Sequence, residues 1–316
     1  MGNEIPAKGP FVQFDFEVSF THGGRLEGQR FRLKEDGWEA GESQLAELLV
    51  RELQLQSVRE VRIFNTETLR ENDAEVEDAE RRSSGMPASI IDLSHTIAHG
   101  METYPGFPAP QVSDYLSHEA SKGRYAPGVT FNIGRIEMVA NSGTSIDSPA
   151  HRYAGGADVA GLPLEVTADL DGVVVRLAGF TGRAVLRQHL EGYRVSNRAV
   201  LIETGRGRSW GLHGYFEEHP YLTKDAAAYL RDEGALLVAI DSHNIDDTSD
   251  PDRPVHTILL DAGIPIVENL TGTEQLPDEG FRFTAAPMKI QGMSAFPIRA
   301  WARITDGAAS ASRQHS

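Results

Sequence analysis

A chain of 316 residues with 40% apolar residues has room for one large domain plus a smaller module. It has no cysteine, which excludes disulfides, thiolate nucleophiles and thiolate metal sites, so any metal must rest on His, carboxylate, amide or hydroxyl groups. A net charge of −16 argues against a nucleic-acid backbone as partner. No stretch approaches the roughly 18 apolar residues of a membrane span, and the N-terminus lacks a basic region followed by an apolar run, so a cytoplasmic protein with no membrane partner is expected.

Residues 11 to 20 alternate, with Val12, Phe14, Phe16, Val18 and Phe20 on one side and Gln13, Asp15, Glu17 and Ser19 on the other, which predicts a half-buried strand. Gly23 and Gly24 mark a turn, and Phe31 and Leu33 a returning strand. Leu45, Leu48, Leu49 and Leu53 fall at helical spacing behind an N-cap candidate at Ser43, and Val61 to Ile63 reads as a third strand. Residues 1–65 therefore form a small β-β-α-β module. Residues 66–87 are charged and polar without an apolar period and read as an acidic linker, with a solvated helix as the competing reading of its centre. The main domain follows over residues 88–304, and residues 305–316 form a disordered tail.

Within the main domain, short β-branched runs recur at residues 133–139, 172–177, 199–203, 236–240 and 264–267, separated by helical stretches and Gly/Pro turns. A helix from Lys224 to Asp232 has Thr223 as its cap, and a second from His256 to Ala262 is closed by Gly263. The pattern is that of an α/β domain with a mixed sheet. No glycine-rich phosphate loop is present, because Gly205-Arg-Gly-Arg208 lacks the lysine and the spacing.

Asp147, Pro149 and His151 lie just after the apolar run that begins at Ile133, where side chains can project from a sheet edge into a cleft. A second group is His256 at a helix start and Glu268 at the end of Gly263-Ile-Pro-Ile-Val-Glu268. A carboxylate ending an apolar strand must be paired or bind a metal. The glycine-rich stretch after the strand at 199–203 offers Arg206, Trp210 and His213 as substrate contacts or is a surface excursion; His243 and Asn244 face the same cleft or stabilise a turn. His95 and His99 read as structural, and Trp301 as core.

Asn141-Ser-Gly-Thr-Ser-Ile-Asp-Ser-Pro-Ala-His151 resembles the signature of the cyclase family of metal-dependent hydrolases, the family of kynurenine formamidase and isatin hydrolase, which reads His-x-Gly-Thr-His-x-Asp-x-Pro-x-His. The match is at Gly143, Thr144, Asp147, Pro149 and His151. Asp92-Leu-Ser-His95, Tyr104-Pro-Gly106, Pro254-Val-His256 and Glu268-Asn-Leu270 fit in order, so the resemblance covers residues 88–304 and leaves the first 70 outside it. It implies the family's swivelling β/β/α-type domain with a mixed sheet. It also implies that Asp147, His256 and Glu268 hold a metal, that His151 is the general acid/base, and that Tyr104 lines the substrate pocket, to which the residues themselves add Arg206, Trp210 and His243 as candidate contacts.

The departure lies at Asn141 and Ser145, which stand where the family has two ligand imidazoles. An amide oxygen and a hydroxyl are weak neutral ligands by comparison. One divalent ion, zinc or manganese, is therefore expected on Asp147, His256 and Glu268, with Asn141 and Ser145 as weak further ligands, or no ion at all. With the ion, the expected activity is hydrolysis of an amide, cyclic amide or lactone of a small molecule. Without it, the same carboxylates and imidazoles suit ring closure, dehydration or isomerisation, the work of a cyclase or lyase. A non-catalytic small-molecule-binding paralogue is the third reading, and the resemblance implies a homo-oligomer, a dimer or tetramer.

Overall fold

A computed structural model describes residues 11–21, 25–34, 41–52, 58–69, 90–177, 181–212 and 214–305 of the chain. The turn at Gly23 and Gly24, Leu53, His213, the linker from residue 70 onward and the tail beyond Thr305 lie outside the described residues. The chain divides into two units, residues 1–87 and 88–316.

In the first unit the alternating segment forms β1 (Phe11–Phe20), which pairs antiparallel with β2 (Arg25–Lys34) and β3 (Val58–Leu69). Its apolar face is buried against Leu45 and Leu49 of α1 (Glu42–Glu52) and Ile63 of β3. The helix opens before Ser43: Leu45 N donates to Gly41 O at 3.1 Å, and the Gln44 side chain accepts from Gly41 N at 3.2 Å. Residues Thr66 to Leu69 belong to β3 and not to a linker, because Thr68 and Glu67 pair with Val12 and Gln13 of β1. Ladder pairing there overrides a polar composition.

The second unit contains β4 (Ile90–Asp92), β5 (Gln111–Leu116), α2 (His118–Ser121), β6 (Ile133–Glu137), β7 (Ser145–Asp147), β8 (Leu170–Arg176), β9 (Ala184–Val185), β10 (Ala199–Glu203) and β11 (Tyr221–Leu222). It continues with α3 (Lys224–Asp232), β12 (Leu237–Ile240), α4 (Pro254–Asp261), β13 (Ile266–Glu268), β14 (Glu279–Thr284), β15 (Ala295–Pro297) and β16 (Trp301–Ile304). Nine strands form one mixed sheet in the order β15-β7-β13-β12-β10-β8-β14-β16-β4, with β8, β10, β12 and β13 parallel and the flanking strands antiparallel. The apolar run at 133–139 supplies β6, which is not part of this sheet; it pairs only with β5, in a ribbon whose β6 residues are exposed.

Strand alternation sorts the core into two layers. Val173, Val175, Val200, Ile202, Val238 and Ile240 face Ala226 and Leu230 of α3 and Val255 and Leu259 of α4. On the other face Val174, Leu201, Ala239 and Val267, which stand in register across four strands, pack with Phe281 and Phe283 of β14. Buried on both faces, the parallel strands read as continuous apolar runs, which is why the sequence pattern locates them. The cap at Thr223 is in place, its Oγ1 accepting from Ala226 N at 3.3 Å, while α4 begins at Pro254, two residues before His256.

The second face is packed to contact at Gly172 on β8, where a methyl group would lie 2.0 Å from the Phe281 ring. Gly172→Ala is expected to cost about 1–3 kcal/mol or more through overpacking, read as a lower urea midpoint at unchanged denaturant slope.

Candidate functional site

Three strand positions and one helix build the site. β7 runs antiparallel to β13 with Asp147 opposite Ile266 and Ser145 opposite Glu268, so Ser145, Asp147 and Glu268 share a face of the sheet and Ile146 turns to the opposite core. Ile266 places that face on the side of α3 and α4. From α4, His256 reaches the same point: its Nε2 lies 3.4 Å from Asp147 Oδ2 and 3.6 Å from Glu268 Oε1. The sites of an α/β sheet lie beyond the carboxyl ends of its strands, and Glu268 ends β13 there.

His256 is oriented from behind. Asp246 Oδ2 accepts from His256 Nδ1 at 2.6 Å, and the two Asp246 oxygens also accept from the backbone N–H groups of Val255 (2.7 Å) and His256 (3.0 Å) at the start of α4. One carboxylate thus caps the helix and fixes the imidazole so that Nε2 faces Asp147 and Glu268. Glu268 is held by Ile245 N, which donates to Oε1 at 2.8 Å, and Asn141 Nδ2 donates to Asp147 Oδ1 at 3.1 Å.

Asp147, Asp246 and Glu268 are all buried, with a single buried imidazole among them. Burial opposes charge on His256, yet the hydrogen bonds to Asp147 and Asp246 and the charge of Glu268 raise its pKa from 6.5 to about 10. Burial, then the charge of Asp147, pushes Glu268 up from 4.5 to about 8. The buried cluster therefore holds more carboxylates than imidazoles, and a divalent cation is what such a donor set accommodates. The metal-ligand fit is one of chemistry: two carboxylates and one imidazole, with the Asp246 carboxylate behind that imidazole.

His151 stands at the rim on the turn after β7. Its side chain is one-third exposed, with Nδ1 3.9 Å from Asp147 Oδ1 and its ring 5.7 Å from that of His256. Ligand atoms of Asp147, His151 and His256 also lie within 4.8 Å of one another, so two overlapping triads share Asp147 and His256.

A cavity of about 320 Å³ opens in front of this cluster. Tyr104, Asn141, Ser145, His151, His243, His256 and Glu268 line it, and Asp147 is buried behind Asn141 and His256. Arg206 and Trp210 do not line it. The Arg206 guanidinium donates to the carbonyls of Gly214, Tyr215 and Glu217 within its own loop, and Trp210 stacks on His95, which follows β4, with ring centres 4.3 Å apart. His95, under that ring, has its pKa lowered to about 4 by burial. His99 Nδ1 accepts from Val112 N, and Trp301 is half-buried on β16.

The structure places Asn244 in the cavity wall beside His243 and adds Asp246, Arg152, Arg253 and Asn269 to the site. Asn269 could have been found from its place inside Glu268-Asn-Leu270, and Asp246 from the acidic stretch before α4. The arginines carry no periodic or motif signal.

With this fold and site in view, comparison with known proteins is specific. A family model described as putative cyclase matches residues 91–247, which carry Asp147 and His151. A kynurenine formamidase of Bacillus thuringiensis subsp. konkukian is 27% identical over 214 residues, spanning 66% of this chain and 95% of the relative. A solved structure titled as a potential metal-dependent hydrolase with cyclase activity superposes with a TM-score of 0.56 at 26% identity, over 68% of this chain and 96% of that one. Isatin hydrolase A from Labrenzia aggregata, bound to benzyl benzoate, gives a TM-score of 0.60 at 20% identity, over 74% and 100%, a likeness of fold. The match to the cyclase family model is carried by residues 91–247, and the relatives that match this chain over the same unit are kynurenine formamidases.

The raised pKa values set the pH response of metal-free protein. The His256 contribution is full below about pH 6.5 and is lost as pH rises through about 10. Native Glu268 keeps between about 4.5 and 8 a proton that the unfolded chain releases, so stability falls with rising pH there too. In chelator, the thermal midpoint is expected to fall from about pH 5 to about pH 9, and added zinc or manganese to restore it near pH 8. A flat profile in chelator would mean that the cluster does not carry this charge.

Proposed function

We propose that the chain is a hydrolase that opens an amide, cyclic amide or lactone of a small molecule, with one divalent ion, zinc or manganese, on Asp147, His256 and Glu268 and with His151 as general acid/base. The observation that carries the reading is the buried excess of carboxylate over imidazole at the floor of the cavity. The names of the relatives support the bond class: a kynurenine formamidase and an isatin hydrolase.

What a divalent ion supplies at such a site is polarisation of a carbonyl and a lower pKa for a coordinated water. The protein does the rest. Asp246 accepts the Nδ1–H of His256 and so directs Nε2 toward Asp147 and Glu268, where it would give up its proton to serve as a ligand. Asn141 donates to Asp147, holding that carboxylate in place rather than offering a ligand oxygen to it. His151, partly exposed and close to the cluster, takes a proton from water and returns it to the leaving nitrogen or oxygen as the acyl bond breaks. The aromatic wall of Tyr104 and Phe107, ring centres 4.9 Å apart, is shaped for a flat apolar body.

The two overlapping triads separate on variants. Glu268→Ala is expected to lose the metal measured per chain, whereas His151→Ala is expected to keep it and lose about 10²–10⁴ in kcat on an anilide, lactam and lactone panel. Loss of metal in His151→Ala would make His151 a ligand, and turnover that survives chelation would move the chemistry to the metal-independent cyclase or lyase reading.

We also propose a homo-oligomer, a dimer or tetramer, formed with a second copy over the β5–β6 ribbon. A two-stranded ribbon is marginal alone, and this one exposes Tyr115 at 77%, Ile136 at 52% and Ile133 at 48%. Light scattering should give a multiple of the 34.6 kDa chain mass, and Ile136→Asp should shift it toward the monomer.

A further inference from the structure

The cavity holds two arginines that the proposed hydrolysis does not use. In a chain of net charge −16 most described arginines near an acid are paired, as Arg176 is with Glu203 and Asp278, and Arg282 with Asp171. Arg152 and Arg253 line the cavity, and among the described residues no carboxylate lies within 4.0 Å of either guanidinium. Arg152 is anchored by Nε to Thr257 Oγ1 at 3.1 Å and lies over the Tyr153 ring.

Arg253 is built in more deliberately. Its backbone stands in the left-handed region at φ 45°, where a long side chain is rarely found. Nη1 donates to Asn244 Oδ1 at 3.1 Å, and that same oxygen accepts from Asp246 N at 3.0 Å, so the guanidinium is oriented by the loop that orients His256. The other donors of its five have no protein acceptor among the described residues. Strained backbone persists where the surroundings over-determine it, and it gathers at ligand sites. Beside Arg253, His243 is 4% exposed, lines the cavity, and among the described residues has no hydrogen-bond partner at Nδ1.

We infer that the substrate carries a carboxylate, received by the Arg253 guanidinium, with Arg152 adding positive field, while its flat body lies against Tyr104 and Phe107. A guanidinium presents a planar fork that matches a carboxylate in two parallel hydrogen bonds. One negative charge suits one oriented guanidinium; a dianion would lie close to Asp147 and Glu268 at greater electrostatic cost. The inference names the substrate class of the hydrolase site and rests on that reading.

The experiment compares a formanilide bearing a ring carboxylate with its ring-carboxamide counterpart, in wild type, Arg253→Gln and Arg253→Asn, the last chosen because asparagine tolerates the left-handed backbone. Wild type is expected to favour the carboxylate in kcat/KM by about tenfold or more, and both variants to lose about 10- to 100-fold on it alone. Equal loss on both compounds would make Arg253 a group that acts on the reacting carbonyl and would overturn the inference, as would no loss on either. If neither compound turns over, the hydrolase reading fails and calorimetry with benzoate and benzamide still decides. Benzoate binding weakened about tenfold or more in the variants, with benzamide unchanged, sustains the carboxylate site; no preference for benzoate, or equal weakening, removes it.

Discussion

One buried carboxylate sets the geometry of the whole site. Asp246 is fully buried and accepts three hydrogen bonds, two from the first turn of α4 and one from the His256 ring. The two tasks are coupled: a helix start left without its cap would lose the axis along which His256 points, and an imidazole without its partner would lose its tautomer. Because the same loop carries Ile245, whose N–H holds Glu268, and Asn244, which holds Arg253, one short segment after β12 positions groups on three sides of the cavity.

The opposite wall is fixed by Asn269. It sits at φ 59°, its Nδ2 donates to Gly143 O at 2.9 Å, its Oδ1 accepts from Tyr215 Oη at 2.7 Å, and its carbonyl accepts from Thr144 Oγ1 at 2.6 Å. These bonds tie the signature segment to the end of β13 independently of the β7 ladder. Gly143 can take its own φ of 66° only without a side chain, since a Cβ there would lie 2.9 Å from Ile97. The glycine, threonine and aspartate of the motif are thus a bracket, a hydrogen bond and a functional carboxylate in that order.

Much of this was legible because each signal is local. The parallel strands announce themselves by being apolar throughout, and Thr223 and Gly263 by the chemistry of helix ends. Asp147, His256 and Glu268 were found through motif order, since nothing in periodicity brings residues 121 positions apart onto one face; the antiparallel register of β7 on β13 does that. Where local reading failed, a tertiary partner had taken over. Ser43 has the right chemistry for a cap but Gly41 opens the helix; Thr66 to Leu69 look like linker until β1 pairs with them. Arg206 and Trp210 looked like pocket residues because a glycine-rich loop favours exposure, but their contacts are with carbonyls and His95. Arg253 was invisible because its role depends on an unusual backbone conformation that no residue type advertises.

Asn141 and Ser145, which stand where the resemblance implies two ligand imidazoles, bear on charge as well as on ligand number. A neutral imidazole offers a lone pair; the Asn141 amide, as oriented, offers a proton, which it gives to Asp147. Asp147 is then held at Oδ1 by a neutral donor and approached at Oδ2 by His256. If the proposed single cation sits on Asp147, His256 and Glu268, the rim still carries two guanidiniums that no carboxylate pairs among the described residues. A floor of two cations would attract an anion to the ions themselves. With one, the discrimination between charged and neutral ligands would pass to the arginines, a physical reason for Asn141, Ser145 and the rim charges to occur in the same chain.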